Sequence, residues 1–120
     1  MRSWVAVVTE VTWPEVLDIH PDSWGCRGSA HSKTVQPGDH LWFYMPGVAR
    51  LVGSAIVSGQ PFRVMPDGDT PSWQASHPYR YPVQMIPMSV RDFHHGVPTA
   101  AFNDFPEPVR LKGGLALWRD

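Results

Sequence analysis

Proline and glycine interrupt this chain too often for long helices. Thirteen prolines and ten glycines are scattered along 120 residues, and a proline inside a helix removes a hydrogen bond and clashes with the preceding turn. The pattern that remains is short strands joined by turns. Such a domain needs bulky side chains to fill its core. Apolar residues make up only 42%, but 12% are aromatic and six are tryptophan, and large rings bury much area each. At this length one hydrophobic core is expected, so residues 1–120 read as a single domain.

Local signals then give an order of elements. Ser3 to Thr9 is β-branched and apolar, as a buried strand requires. A helix is expected next, capped by Thr12, with Glu15 completing a capping box and Val11 and Val16 forming a hydrophobic staple. It must end by about Ile19, because Pro21 disfavours a helical His20. Asp22 to Ala30 reads as a polar loop around Trp24. Gln36-Pro37-Gly38-Asp39 has the residue order of a type II turn, and it leads into an apolar strand from His40 to Met45. Pro46-Gly47 turns the chain back into Ala49 to Ser58, where Gly53 marks a bulge or a close backbone approach. Residues 59–78 read as one long loop, and loops of that length usually carry function or are disordered. Tyr79 to Met88 is a further strand, put at an edge or a bulge by Pro82 and Pro87. Ser89 to Phe93 suits a helical turn. Leu111 to Trp118, interrupted by Gly113-Gly114, closes the chain.

Charge and cysteine usage narrow the function classes. Ten Lys and Arg against eleven Asp and Glu leave a formal charge of -1, so bulk attraction to phosphate cannot dominate binding. Cys26 is the single cysteine, which excludes an intramolecular disulfide and a cysteine-based zinc knuckle. Met1-Arg2-Ser3-Trp4 lacks the apolar stretch of a signal peptide, and no apolar run approaches the roughly 20 residues of a membrane span. A cytoplasmic location without membrane contact is expected.

Several pieces occur together and in order: Trp4 with its Val-rich strand, Trp24-Gly25-Cys26-Arg27, Val35-Gln36-Pro37-Gly38-Asp39, Leu41-Trp42-Phe43-Tyr44, Val52-Gly53 with Val57 and Pro61, and Tyr79-Arg80. This ordered set, from about residue 3 to about residue 117, resembles the EVE domain, a branch of the PUA-like superfamily that includes the YTH and ASCH domains. The resemblance implies an α+β fold: a small, bent PUA-like β-barrel of about five to six strands with short flanking helices. It also implies a nucleic-acid partner, because EVE domains look like readers of modified bases in DNA or RNA. YTH domains hold a methylated adenine in a tryptophan cage, and Trp24 and Trp73 occupy the corresponding stations.

The chemistry of such a pocket is consistent with the transfer. Stacking a base on an aromatic ring contributes about 1–3 kcal/mol, and unstacking it from its strand costs a few kcal/mol. Two rings therefore roughly offset the extraction. A buried methyl group adds only about 0.8 kcal/mol, so sharp reading also needs polar groups at the base edge. The expected base-binding set is Trp24, Trp73, Tyr44, Gly25, Cys26 and Ser29, with Asp22 as a further edge contact. Arg27, His31 and Lys33 are placed to meet phosphates.

Each assignment has a plainer competitor. Trp24 and Trp73 can pack their own loops, Tyr44 can be a cross-strand packer, and Arg27, His31 and Lys33 can be a solvated loop. Trp4 and Trp42 suit a core, Trp13 packs the helix, and Trp118 anchors the last strand. Arg80 can pair with a carboxylate such as Asp39. His94-His95 point apart and lack a partner at ligand spacing, so no metal is expected. Cys26 has no nucleophile motif around it and suits a small buried thiol. Asp67-Gly68-Asp69 has the look of a turn, because the rest of a calcium loop is missing. No cofactor and no catalytic residue are expected.

Two other functions compete with base reading. Lys33-Thr34 offers two of the three groups of an ASCH-like amidohydrolase acting on a modified nucleoside. An accessory protein could instead bind a free nucleotide or a protein partner through the same aromatic patch. For a base reader this short, either an effector on a separate chain supplies the consequence of binding or the bound state itself blocks something.

Overall fold

The structure is a computed structural model that describes residues 2–18, 23–26, 35–63, 79–86, 96–102, 104–106 and 115–118. These form a mostly-sheet half-barrel with one α-helix among the described residues. In chain order the elements are β1 (Ser3–Val7), α1 (Thr12–Asp18), β2 (Ser23–Cys26), β3 (His40–Met45), β4 (Arg50–Val57), β5 (Phe62–Arg63), β6 (Tyr79–Met85), β7 (Val97–Pro98), a 3₁₀ turn (Thr99–Ala101) and β8 (Leu115–Trp118). The strands lie in the order β2-β6-β4-β3-β1-β8, with β5 added to β6 and β7 to β4. Eight strands replace the expected five to six. The additions are short: β2 and β5 arise within stretches whose composition reads as loop, and β7 has only two residues. The expected turn over Ser89–Phe93 and the start of the last strand at 111–114 lie outside the described residues.

Strand alternation sets the two faces of the sheet. Along β3, Leu41, Phe43 and Met45 are buried in the main core, whereas His40, Trp42 and Tyr44 are half-buried on the other side. β1 runs parallel to β3, with Trp4 beside Leu41 and Ala6 beside Phe43. Trp4, Ala6 and Val8 face the main core. Val5 and Val7 join Tyr44, Phe105 and Trp118 in a second cluster on the outer face. Apolar side chains on both faces therefore make this the doubly covered centre of the molecule.

The turn at Gln36–Asp39 locks β1 to β3. Gly38 has φ +91, and the Asp39 N–H donates to the Gln36 carbonyl at 3.0 Å, as a type II turn requires. The Asp39 carboxylate accepts from the Arg2 N–H at 3.0 Å, the Gln36 N–H at 2.9 Å and the Trp4 indole N–H at 2.9 Å. Burial raises its pKa, but the bonds from Gln36, Trp4 and Arg2 outweigh that and hold it below 3.8. Asp39 therefore does not serve as the partner expected for Arg80. The Arg80 Nε–H donates to the Ser23 hydroxyl at 2.9 Å, and Nη2 donates to the Ser23 carbonyl at 3.3 Å.

The cap of helix α1 lies one turn earlier than the sequence signals suggest. The Trp13 N–H reaches the Thr9 carbonyl at 2.9 Å, so Thr9 is the N-cap. Thr9 Oγ1 accepts from the Thr12 N–H at 3.0 Å, and Thr12 Oγ1 accepts from the Thr9 N–H at 3.1 Å. That is a capping box with threonine in the place of the usual Glu or Gln. The shift puts Val8 and Trp13 at the staple positions, and both are buried in the main core. Val11, expected in the staple, is 73% exposed.

Gly53 does mark a bulge. Phe43 pairs with Gly53 but Tyr44 pairs with Leu51, which leaves Val52 as the extra residue. The bulge lets Val52 and Ala55, an odd number of residues apart, both enter the core. Strand β6 lies inside the sheet, between β2 on one side and β4 with β5 on the other, and is not an edge. Pro82 is tolerated there because its carbonyl accepts from Ser58 N–H at 2.8 Å. Its missing donor faces the break between β4 and β5, where no ladder bond is needed. At the far end of β4, the Gly96 carbonyl accepts from Arg50 Nη1 at 2.6 Å. A side chain at Gly96 would overlap the Leu51 carbonyl oxygen, so only glycine fits this approach.

Candidate functional site

Strands β2 and β5 end where β6 begins. The register sets Cys26 opposite Tyr79, and Tyr79 opposite Arg63. The chain enters residues 27–34 directly after Cys26 and residues 64–78 directly after Arg63. The stretches that carry Arg27, Ser29, His31 and Lys33, and Trp73, therefore begin at neighbouring positions on one end of the sheet. Those five residues, with Asp22, lie outside the described residues.

Trp24 is on a strand, not in the polar loop that its glycine neighbours suggested. Only 8% of it is exposed, and its ring stacks on Tyr81 at 5.9 Å with 16° between planes. Both belong to the main core, so Trp24 has the packing partners that its loop context seemed to deny it. A stacked pair of this kind contributes about 0.5–1.5 kcal/mol beyond area burial. Gly25, one row further, is buried opposite Arg80. The backbone of Cys26 continues β2, and nothing is described of its side chain.

Tyr44 sits elsewhere. It is on the outer face of β3, with its ring 4.9 Å from Phe105, whereas Trp24 and Tyr81 face the main core. The structure does not bring Tyr44 to Trp24. The same outer face carries His40 stacked on Trp42 at 4.2 Å and 10°, and Trp42 edge-on to Trp118 at 5.9 Å. Burial lowers the His40 pKa from its ordinary value. Trp4 and Trp13 are core residues as expected, and Trp118 anchors the last strand through its ring contacts.

No family model matches the chain, and no curated protein matches it significantly. Among the described residues no group of three His, Cys, Asp or Glu could hold a metal ion, and no helix is long and apolar enough to cross a membrane. Among the described residues this end of the sheet carries the buried Trp24–Tyr81 pair and the half-exposed ring of Phe62 beside the buried guanidinium of Arg80.

Tyr81, the stacking partner of Trp24, escaped the sequence reading. Arg80, read there as a partner for a carboxylate such as Asp39, is the strut that ties β6 to β2 through Ser23. The strand pattern over 79–85 held the signal. Alternation puts Arg80 and Tyr81 on opposite faces, so one of them had to leave the core side and find a polar partner. Which strand supplied that partner was not legible, because β2 reads as a loop.

Proposed function

We propose that this protein is a nucleic-acid-binding module that recognises a modified base in DNA or RNA, with an EVE-like, PUA-like barrel as its scaffold. The observation that carries this function is that β2 ends at Cys26 and β5 at Arg63 on either side of Tyr79, where β6 begins. Residues 27–34, which include the cations Arg27, His31 and Lys33, and residues 64–78, which include Trp73, follow that end of the sheet in the chain. A base would insert there against Trp73 and the rim of Trp24, with Gly25, Cys26 and Ser29 at its edge and the cations on flanking phosphates. Tyr44 has no part in this pocket. Such a reader would work in the cytoplasm.

The test is a titration of tryptophan fluorescence with short single-stranded DNA and RNA carrying plain, 5-methyl, 5-hydroxymethyl or N6-methyl bases. Wild type should prefer one modification. Trp73→Ala should weaken that binding by about fivefold or more, the loss of one stacking ring, with its thermal unfolding unchanged. Trp24→Ala is a poor probe, because removing a buried ring of the core costs about 3–5 kcal/mol of stability. Equal affinity for plain and modified bases would defeat the function as stated. Turnover of an acylated cytidine, lost in Lys33→Ala, would replace it with the amidohydrolase.

A further inference from the structure

We propose that the exposed turn carrying Phe102 is a strap, hinged at Thr99, that lifts off Trp118 while the sheet stays folded. The two ends of this segment are held differently. At its start the backbone is seated on β4. Val97 and Pro98 pair with Leu51 and Arg50, and Arg50 Nη1 donates to the Gly96 carbonyl at 2.6 Å. The Thr99 N–H and hydroxyl both donate to the Ala49 carbonyl at 3.1 Å. Beyond Thr99 the 3₁₀ turn has no buried residue and no side-chain cap. Its last bond, from the Phe102 N–H to the Thr99 carbonyl at 3.0 Å, stays inside the turn. Phe102 is 36% exposed and meets the sheet through its ring, edge-on to Trp118 at 5.2 Å. A segment with few buried contacts beyond a well-bonded anchor opens locally, below the cost of global unfolding.

The closed state leaves a polar group unmet. Trp118 Nε1 is buried without an acceptor, and a buried donor without a partner opposes the state that buries it. Phe105 also lies edge-on to Trp118, at 5.5 Å, but it has a second ring contact with Tyr44 at 4.9 Å and belongs to the outer-face cluster. Phe102 has Trp118 alone among the described rings, so Phe102 is the ring that leaves first. Its departure lets water reach the indole N–H, and the bond gained there offsets part of the lost ring contact. Trp4, on the inner side, has no such reason to open, because its indole N–H already donates to Asp39 at 2.9 Å. Opening uncovers the Trp118 ring and its donor beside Trp42, whose ring lies 5.9 Å from it.

The experiment follows deuterium exchange of the indole N–H groups by heteronuclear NMR in the full chain, at urea concentrations below the unfolding transition. The peaks missing from Trp118→Phe and from Trp4→Phe assign the two signals. Trp118 should exchange about tenfold or more faster than Trp4, with little dependence on urea, because the opening exposes little surface. Phe102→Ala should speed the Trp118 exchange by roughly twofold to tenfold, the worth of one edge-on ring pair, and leave Trp4 unchanged. The Thr99 amide should stay protected, as an anchor requires. Trp118 exchange with the full urea dependence of global unfolding would overturn the strap, since only unfolding then uncovers the ring. So would a Trp118 rate that Phe102→Ala leaves at the wild-type value, because water then reaches the N–H by another route. A Thr99 amide that exchanges as fast as the Trp118 indole would overturn the hinge.

Discussion

Two tryptophans on opposite faces of the same sheet are treated differently. Trp4, on the core side of β1, donates its indole N–H to Asp39 at 2.9 Å. Trp118 is on β8, two strands from β3, and lies on the outer face. Its indole nitrogen is buried without an acceptor. An unmet buried donor costs about 1–3 kcal/mol. Trp118 offsets that with rings alone: Trp42 at 5.9 Å, Phe102 at 5.2 Å and Phe105 at 5.5 Å. Aromatic pairs at about 0.5–1.5 kcal/mol each are sufficient. The difference separates an inner clasp fixed by the satisfied Asp39 carboxylate from an outer cluster fixed by ring shape.

The largest test of that contrast is Asp39→Ala. It strands the donors of Arg2, Gln36 and Trp4 together, and it should cost about 3 kcal/mol or more in urea unfolding. Its pH dependence has a definite sign. The folded pKa lies below 3.8, so the carboxylate's contribution is fully present above pH 3.8 and is lost as pH falls through the lower, folded value. Wild type should therefore lose stability in that acid window more steeply than the variant. A cost under about 1 kcal/mol would mean that water replaces the carboxylate and that the inner face is not polar-locked.

How much of this was legible in the sequence depends on how local each signal is. The turn at Gln36–Asp39 was, because proline, glycine and a following strand fix it within four residues. The Gly53 bulge was, for a similar reason. The cap was misread by one turn because Thr9 and Thr12 are both competent, and only the burial of Trp13 and Val8 decides between them. Strand β2 was invisible, since Ser23-Trp24-Gly25-Cys26 has no β-branched residue and is a strand only because β6 pairs with it. The site divides likewise. Trp24 and Gly25 were singled out by their place in an ordered motif, yet they lie on a strand, and Tyr44, which was grouped with them, lies on the other face of the sheet. Face assignment depends on which strands pair, and that is set by contacts far apart in sequence.

Trp4→Phe isolates one bond of the inner clasp. The ring remains and the donor goes, so the Asp39 carboxylate keeps only its two backbone partners. Hydrogen bonds to charged groups are worth about 1.5–3 kcal/mol, and a loss of that size is expected in urea unfolding with an unchanged slope. A smaller loss than that of Trp118→Phe would invert the comparison.

Trp118→Phe should have the smallest effect, within about 1 kcal/mol of wild type, because two terms of opposite sign meet there. The substitution removes part of a ring packed against Trp42, Phe102 and Phe105, which leaves a void and lowers stability. It also removes a buried N–H that has no acceptor, which raises stability. The same change at Trp4 has only unfavourable terms. Urea unfolding of the two variants side by side, with near-ultraviolet circular dichroism as the report on ring packing, separates these contributions. If Trp118→Phe costs as much as Trp4→Phe, the outer rings are packed as uniquely as the core, and shape alone can fix a sheet face.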